Sequence, residues 1–247
     1  NHCLILYHFV LMKKNFLKII TIVLFLGAAV TTNAQGNHNW TIGLKGGWNW
    51  TNISHSNTGR IDETFSPLGN AEIGLQARYQ LTDWMAIRAD FSFMPRSYRM
   101  DRNLNYLDPV FTEYKNNYLM LPLMADFSFG GRQLRGHAYC GGFGGYWTKA
   151  HIQGVTYWMT DYYVYFNDFD ENREFNNEDQ RLIAGAVGGL GLSYDFSKPE
   201  ENAGGFIISL DALYYYDLVS HHKGYAQLSD PRYLNSLSIS LGLAYRF

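Results

Sequence analysis

Nine charged side chains recur on one side of alternating segments and could act together: Lys45, Glu72, Arg78, Arg88, Asp90, Asp126, Asp195, Asp211 and Arg246. Four are basic and five are acidic. Nearly balanced charges that share an enclosed space pair through ion pairs and hydrogen bonds, because a buried charge left alone is costly. An unpaired set would instead form a narrow polar path for ions or protons. A catalytic set is not visible. The histidines past residue 34 are His38, His55, His137, His151, His221 and His222, and none falls in a Ser/His/Asp sequence signature. No enzyme and no cofactor are therefore expected. Asp168, Asp170, Asn172 and Asp179 fall at positions 1, 3, 5 and 12 of a calcium loop. However, Arg173 stands where that loop needs a glycine, and Asp179 replaces the bidentate Glu. A solvated acidic loop is the simpler reading, and no metal site is expected. His221 and His222 are neighbours, which an extended chain points to opposite sides.

The elements that would position these charges alternate with a period of two, which marks half-buried strands. Eight such segments cover 40–50, 69–81, 84–94, 118–129, 137–147, 182–196, 206–216 and 237–247. In the first, Trp40, Ile42, Leu44, Gly46, Trp48 and Trp50 share one face, and Lys45 and Asn49 share the other. In the last, Leu237, Ile239, Leu241, Leu243, Tyr245 and Phe247 oppose Ser238, Ser240, Gly242 and Arg246. The fifth segment is glycine-rich, and its outer face is read as His137, Tyr139, Gly141, Phe143, Gly145 and Trp147. No Asp, Glu, Lys or Arg stands on any of the eight apolar faces, in a chain that is 17% charged.

The connections alternate as well. Those at 51–68, 95–117, 148–181 and 217–236 are long, whereas 82–83, 130–136 and 197–205 are short and carry turn residues such as Gly130-Gly131. Short turns at one end and long loops at the other are the pattern of an outer-membrane barrel. Aromatic residues gather near both ends of the segments, where amphipathic rings favour the two membrane interfaces. Trp40, Tyr79, Trp84, Tyr194 and Tyr245 lie near the short-turn end, and Trp48, Trp50, Trp147 and Tyr214 near the long-loop end. The expected fold is all-β: an eight-stranded antiparallel up-and-down transmembrane barrel. A soluble barrel would carry charges outside and apolar residues within, which is the reverse of this pattern. The acidic and aromatic segment 148–181 is expected to extend beyond the bilayer as a hairpin or to offer a contact face.

The remaining composition fits export. Met12 to Lys18 is basic, Ile19 to Val30 is apolar, and Thr32-Asn33-Ala34 supplies small residues before Gln35. Residues 12–34 are expected to be a cleaved signal peptide, 1–11 an upstream mis-start, and 35–247 the barrel domain. The mature part then has 17 basic against 22 acidic residues, since the removed segment holds three Lys and no acid. No basic stripe remains to neutralise phosphates, so nucleic acid is not an expected partner. Cys140 is the single mature thiol, which forbids an internal disulfide, and it is expected to be buried.

Several segments resemble the PorT-like outer-membrane β-barrel family of Gram-negative bacteria. Leu44-Lys45-Gly46-Gly47-Trp48-Asn49 resembles its opening strand, and Asn117-Tyr118-Leu119-Met120-Leu121-Pro122-Leu123 its fourth. Cys140-Gly141-Gly142-Phe143-Gly144-Gly145-Tyr146 resembles its fifth. Gly189-Leu190-Gly191-Leu192-Ser193-Tyr194 and Leu241-Gly242-Leu243-Ala244-Tyr245-Arg246-Phe247 complete the series. The resemblance covers essentially the whole mature chain and implies an eight-stranded barrel in the outer membrane. It implies no single activity, and some relatives are tied to protein secretion. Terminal Phe247, with Tyr245 on the same face, resembles the signal read by the barrel-assembly machinery. The expected role is structural or interaction-type, with a lumen plugged by charges, membrane lipid around it, and external loops free for binding. A small transport or secretion-accessory channel is the alternative.

Overall fold

The alternation becomes a closed sheet. The structure, a computed structural model, describes residues 40–55, 63–102, 110–131, 133–159, 163–176, 179–197, 204–220 and 232–247. The expected signal peptide, residues 1–11, His38 and the pair His221-His222 lie outside the described residues. Nine strands are described: β1 (Trp40–His55), β2 (Glu63–Thr82), β3 (Met85–Arg102), β4 (Val110–Gly130), β5 (Leu134–Met159), β6 (Val164–Arg173), β7 (Leu182–Asp195), β8 (Gly205–Asp217) and β9 (Arg232–Arg246).

Eight of them form the ring. Each pairs antiparallel with its neighbours in the order β1-β2-β3-β4-β5-β7-β8-β9, and β9 pairs with β1 to close it. Closure satisfies backbone donors and acceptors within the sheet and leaves no edge in hydrocarbon. The ninth strand, β6, pairs with the far end of β5, from Ala150↔Arg173 to Met159↔Val164. It is a hairpin carried on the ring, so the extension expected of the 148–181 segment is a β-ribbon.

Four strands overshoot the bilayer. About 9–11 tilted residues span a membrane, yet β2, β3, β4 and β5 have 20, 18, 21 and 26 residues. The excess lies at the long-loop end, so much of 51–68 and 95–117 is paired strand: Phe65 pairs with Met100, and Tyr98 with Tyr114. At the other end the connections are tight. The Thr82 hydroxyl accepts the Met85 amide at 3.1 Å. Gly130 takes a φ of 115°, a left-handed value that favours glycine, and turns β4 into β5.

Burial divides the two faces. Leu44 on β1 is 62% exposed, and next to it Lys45 is 2% exposed. Leu241 on β9 is 61% exposed, while Ser240 is buried. A surface this apolar all round the ring is far larger than the few hundred Å² that a soluble monomer shows. It fits contact with lipid instead.

Strand β5 runs in the opposite phase to the sequence reading. His137, Tyr139, Phe143 and Trp147 are buried and point inward, and Cys140 and Tyr146 are exposed outside. Trp147 is therefore not a girdle residue: it is 4% exposed and stacks on Tyr118 at 5.9 Å between ring centroids. Cys140 is likewise not buried; it faces outward, where lipid rather than water meets it. The cause is local. Gly141, Gly142, Gly144 and Gly145 put small residues on both faces, so apolar alternation fixes no phase there.

Candidate functional site

The lumen is where charged groups converge, and ion pairs cross it at three levels. In the middle, β3 supplies Arg88 and Asp90, β1 Lys45, β2 Glu72 and β8 Asp211. Arg88 Nε donates to Asp90 Oδ1 at 2.9 Å and Nη2 to Asp90 Oδ2 at 3.1 Å. Arg88 Nη1 lies 2.8 Å from Asp211 Oδ2. Lys45 Nζ donates to Asp90 at 3.0 Å and stands 4.0 Å from Glu72. Neutral groups complete the set. The Tyr139 hydroxyl donates to Asp211 at 2.8 Å, Ser238 to Glu72 at 2.6 Å, and Arg88 to Gln76 at 3.1 Å. Gly191 makes room for this packing, since a Cβ there would stand 2.6 Å from the Tyr139 hydroxyl.

At the short-turn end a second group forms. Arg78 Nε donates to Asp126 Oδ2 at 2.5 Å, and Asp126 Oδ1 meets His137 Nδ1 at 2.8 Å. The other ring nitrogen, His137 Nε2, lies 2.8 Å from Ser193 Oγ. A cavity of about 40 Å³ lies beside these residues, lined also by Thr41, Ile207, Ser209 and Ala244. Arg246 pairs with Asp195 at 2.7 Å and donates to Ser197 at 2.7 Å. All nine charges expected in the lumen thus enter one of these two groups.

A third group, toward the long-loop end, has no counterpart in the sequence reading. Arg96 donates to both oxygens of Asp217, at 2.9 and 3.1 Å, to Ser236 Oγ at 2.8 Å and to the Leu234 carbonyl at 2.8 Å. Around it packs an aromatic and methionine cluster including Met94, Tyr118, Met120, Phe143, Trp147 and Tyr215. Apolar as well as ionic side chains therefore point into the lumen. The sequence pattern puts Arg96 and Asp217 in the long connections 95–117 and 217–236. The signal that could have found Arg96 is the alternation Met94, Arg96, Tyr98, Met100, which keeps the inward phase of β3 past the bilayer.

Most expected girdle aromatics lie on the outer face. Trp48, Trp50, Trp84, Tyr194 and Tyr214 are exposed, and Trp40, Tyr79 and Tyr245 are half-buried against neighbours. Trp40 packs on Tyr79 at 4.8 Å, and Phe206 on Tyr245 at 5.2 Å. Of the calcium-like pattern, Asp168, Asp170 and Asn172 lie along β6 and Asp179 lies past its end. Asp170 lies 2.9 Å from His151, and Asp179 is held by Arg173 at 2.6 Å and by the Asn176 amide at 2.9 Å.

A ring apolar outside and ionic inside, with tight turns at one end and overlong strands at the other, defines an outer-membrane β-barrel. Residues 33–221 match the family described as Outer membrane protein beta-barrel domain, and the chain belongs to that family. It resides in the outer membrane of a Gram-negative bacterium, with lipid against its outer face. No curated protein matches the chain. Among solved structures it is similar to the outer membrane protein OprG from Pseudomonas aeruginosa, at 12% identity and a TM-score of 0.45, over 85% of this chain and 96% of that one. It is also similar to Ail, the attachment invasion locus protein of Yersinia pestis, at 15% identity and a TM-score of 0.38, over 85% and 99%. Neisserial surface protein A shows 12% identity and a TM-score of 0.41, over 83% and 97%.

Proposed function

We propose that this chain is a structural and interaction-type outer-membrane barrel of the PorT-like kind, with its lumen plugged and its principal role not enzymatic. The observation that carries the plug is Arg88, which ties Asp90 on its own strand to Asp211 on β8. A small barrel has an interior just wide enough for side chains to fill. Here the ionic levels and the aromatic cluster together occupy it. Planar-bilayer recording tests this reading: the purified barrel is expected to give no stable unitary steps. Steady steps would instead favour a small transport or secretion-accessory channel.

Binding, in this reading, uses the external end. The β5–β6 hairpin presents Trp158, Met159, Tyr163, Tyr165 and Phe166 to solvent beside Asp168, Asp170 and Glu171. Residues 12–34 serve as the export signal and 35–247 as the barrel domain. Tyr245 and Phe247 act as the assembly signal, with the barrel-assembly machinery as a transient partner. Deleting Phe247 should lower the amount of barrel in the outer membrane while leaving synthesis unchanged, as read by blotting membrane fractions. Normal insertion of the shortened chain would remove that role.

A further inference from the structure

Three residues distant in sequence stand in line at the short-turn end of the lumen: Asp126 on β4, His137 on β5 and Ser193 on β7. An ionised carboxylate only accepts hydrogen bonds. The 2.8 Å contact to Asp126 therefore places the proton of a neutral His137 on Nδ1. Nε2 is then the free acceptor, and the Ser193 hydroxyl, 2.8 Å away, donates to it. An orienting acid, a base and a hydroxyl bonded in this order are the parts of an activated serine nucleophile. Arg78 holds the other oxygen of Asp126 and so fixes the acid in place.

A second observation points to a ligand. Ser193 and His137 line the cavity of about 40 Å³, and so do Arg78 and Ser209. Arg78 Nη2 and Ser209 Oγ are buried atoms with no hydrogen-bond partner. Unspent donors beside a nucleophile suit the oxygen that becomes negative when a carbonyl is attacked. Ile207 and Ala244 give the same cavity an apolar wall. At roughly 10–15 Å³ for each water-sized atom, a cavity of about 40 Å³ has room for about three heavy atoms, the number in an acetyl group.

We propose that Ser193 is the nucleophile of a small esterase centre that opens toward the periplasm and acts on acetyl esters. Ser193 Oγ bonds to the ester carbonyl carbon as its proton passes to His137 Nε2. The oxyanion is met by Arg78 and Ser209. The carbon–oxygen bond to the alcohol then breaks, and the alcohol leaves with the proton from His137. Water, deprotonated by His137, attacks the acetyl-serine, acetate departs, and Ser193 regains its proton. This goes beyond the structural role, and the cavity borders the central network through Arg88, Gln76 and Tyr139.

The test uses the full barrel in detergent with 4-nitrophenyl acetate as probe. Hydrolysis above background is expected, with acetylation mapped to Ser193 after an acid quench. Ser193→Ala and His137→Gln should each lower the rate by about 100-fold or more, whereas Ser238→Ala in the central network should keep it. The dodecanoate ester should not be turned over. Acetylation elsewhere, no acetylation, or an unchanged rate in a Ser193→Ala barrel that still shifts on heating would overturn the proposal. Should Ser193→Ala fail to fold, the acetyl map on the unaltered chain decides alone.

Discussion

Replacing Arg88 with methionine should destabilise the barrel by about 3–5 kcal/mol, the range for breaking a buried ion pair from one side. Arg88 bridges Asp90 and Asp211, and all three side chains are almost wholly buried. Without it, Asp90 keeps Lys45, but Asp211 keeps only the Tyr139 hydroxyl among these partners. The stranded carboxylate drives the loss. Pairing Arg88→Met with Asp211→Asn removes one excess charge and should recover part of it. Urea unfolding in detergent, followed by the fraction of folded band on a gel, reads both. Arg78→Met is the comparison. Its side chain is 18% exposed and it meets a single carboxylate, so solvent should soften its loss. Equal midpoints for the Arg88 variant and the unaltered chain would remove the network as a source of stability.

The second large effect is expected outside. Leu44 lies midway along β1 between Trp40 and Trp48, and pairs with Leu75 and Leu243. An arginine near the bilayer midplane of a barrel costs about 2–4 kcal/mol. Leu44→Arg should therefore lose that much in lipid vesicles. Tyr165→Arg, on the exposed β5–β6 hairpin, should change stability by less than about 0.5 kcal/mol. A surface facing water would show no such contrast, because Leu44 and Tyr165 are both exposed.

The ring was legible because lipid imposes a rule that sequence can carry. Within the bilayer, every second residue of β1, β2, β3, β8 and β9 faces hydrocarbon, and charge is absent from those positions. The same rule gave the lumen charges, since Lys45, Asp90 and Asp211 could stand only on the other face. It failed in β5, where glycines on both faces erase the contrast, so His137, Tyr139 and Trp147 were placed outside. It also stopped too early. Beyond the bilayer nothing requires an apolar outer face, so the extension carrying Arg96 reads as a loop, whereas the β6 ribbon fits the hairpin expected of 148–181. The Asp126, His137 and Ser193 line was invisible for another reason. Its members come from three strands, and only the register of β4 with β5 and of β5 with β7 brings them together.

Fractionation combined with gel mobility with and without heating tests barrel and compartment at once. A closed barrel stays folded in cold detergent and migrates apart from its boiled form. The chain is expected in the outer-membrane fraction with such a heat-dependent shift. A soluble periplasmic product whose mobility ignores heating would contradict the outer-membrane barrel.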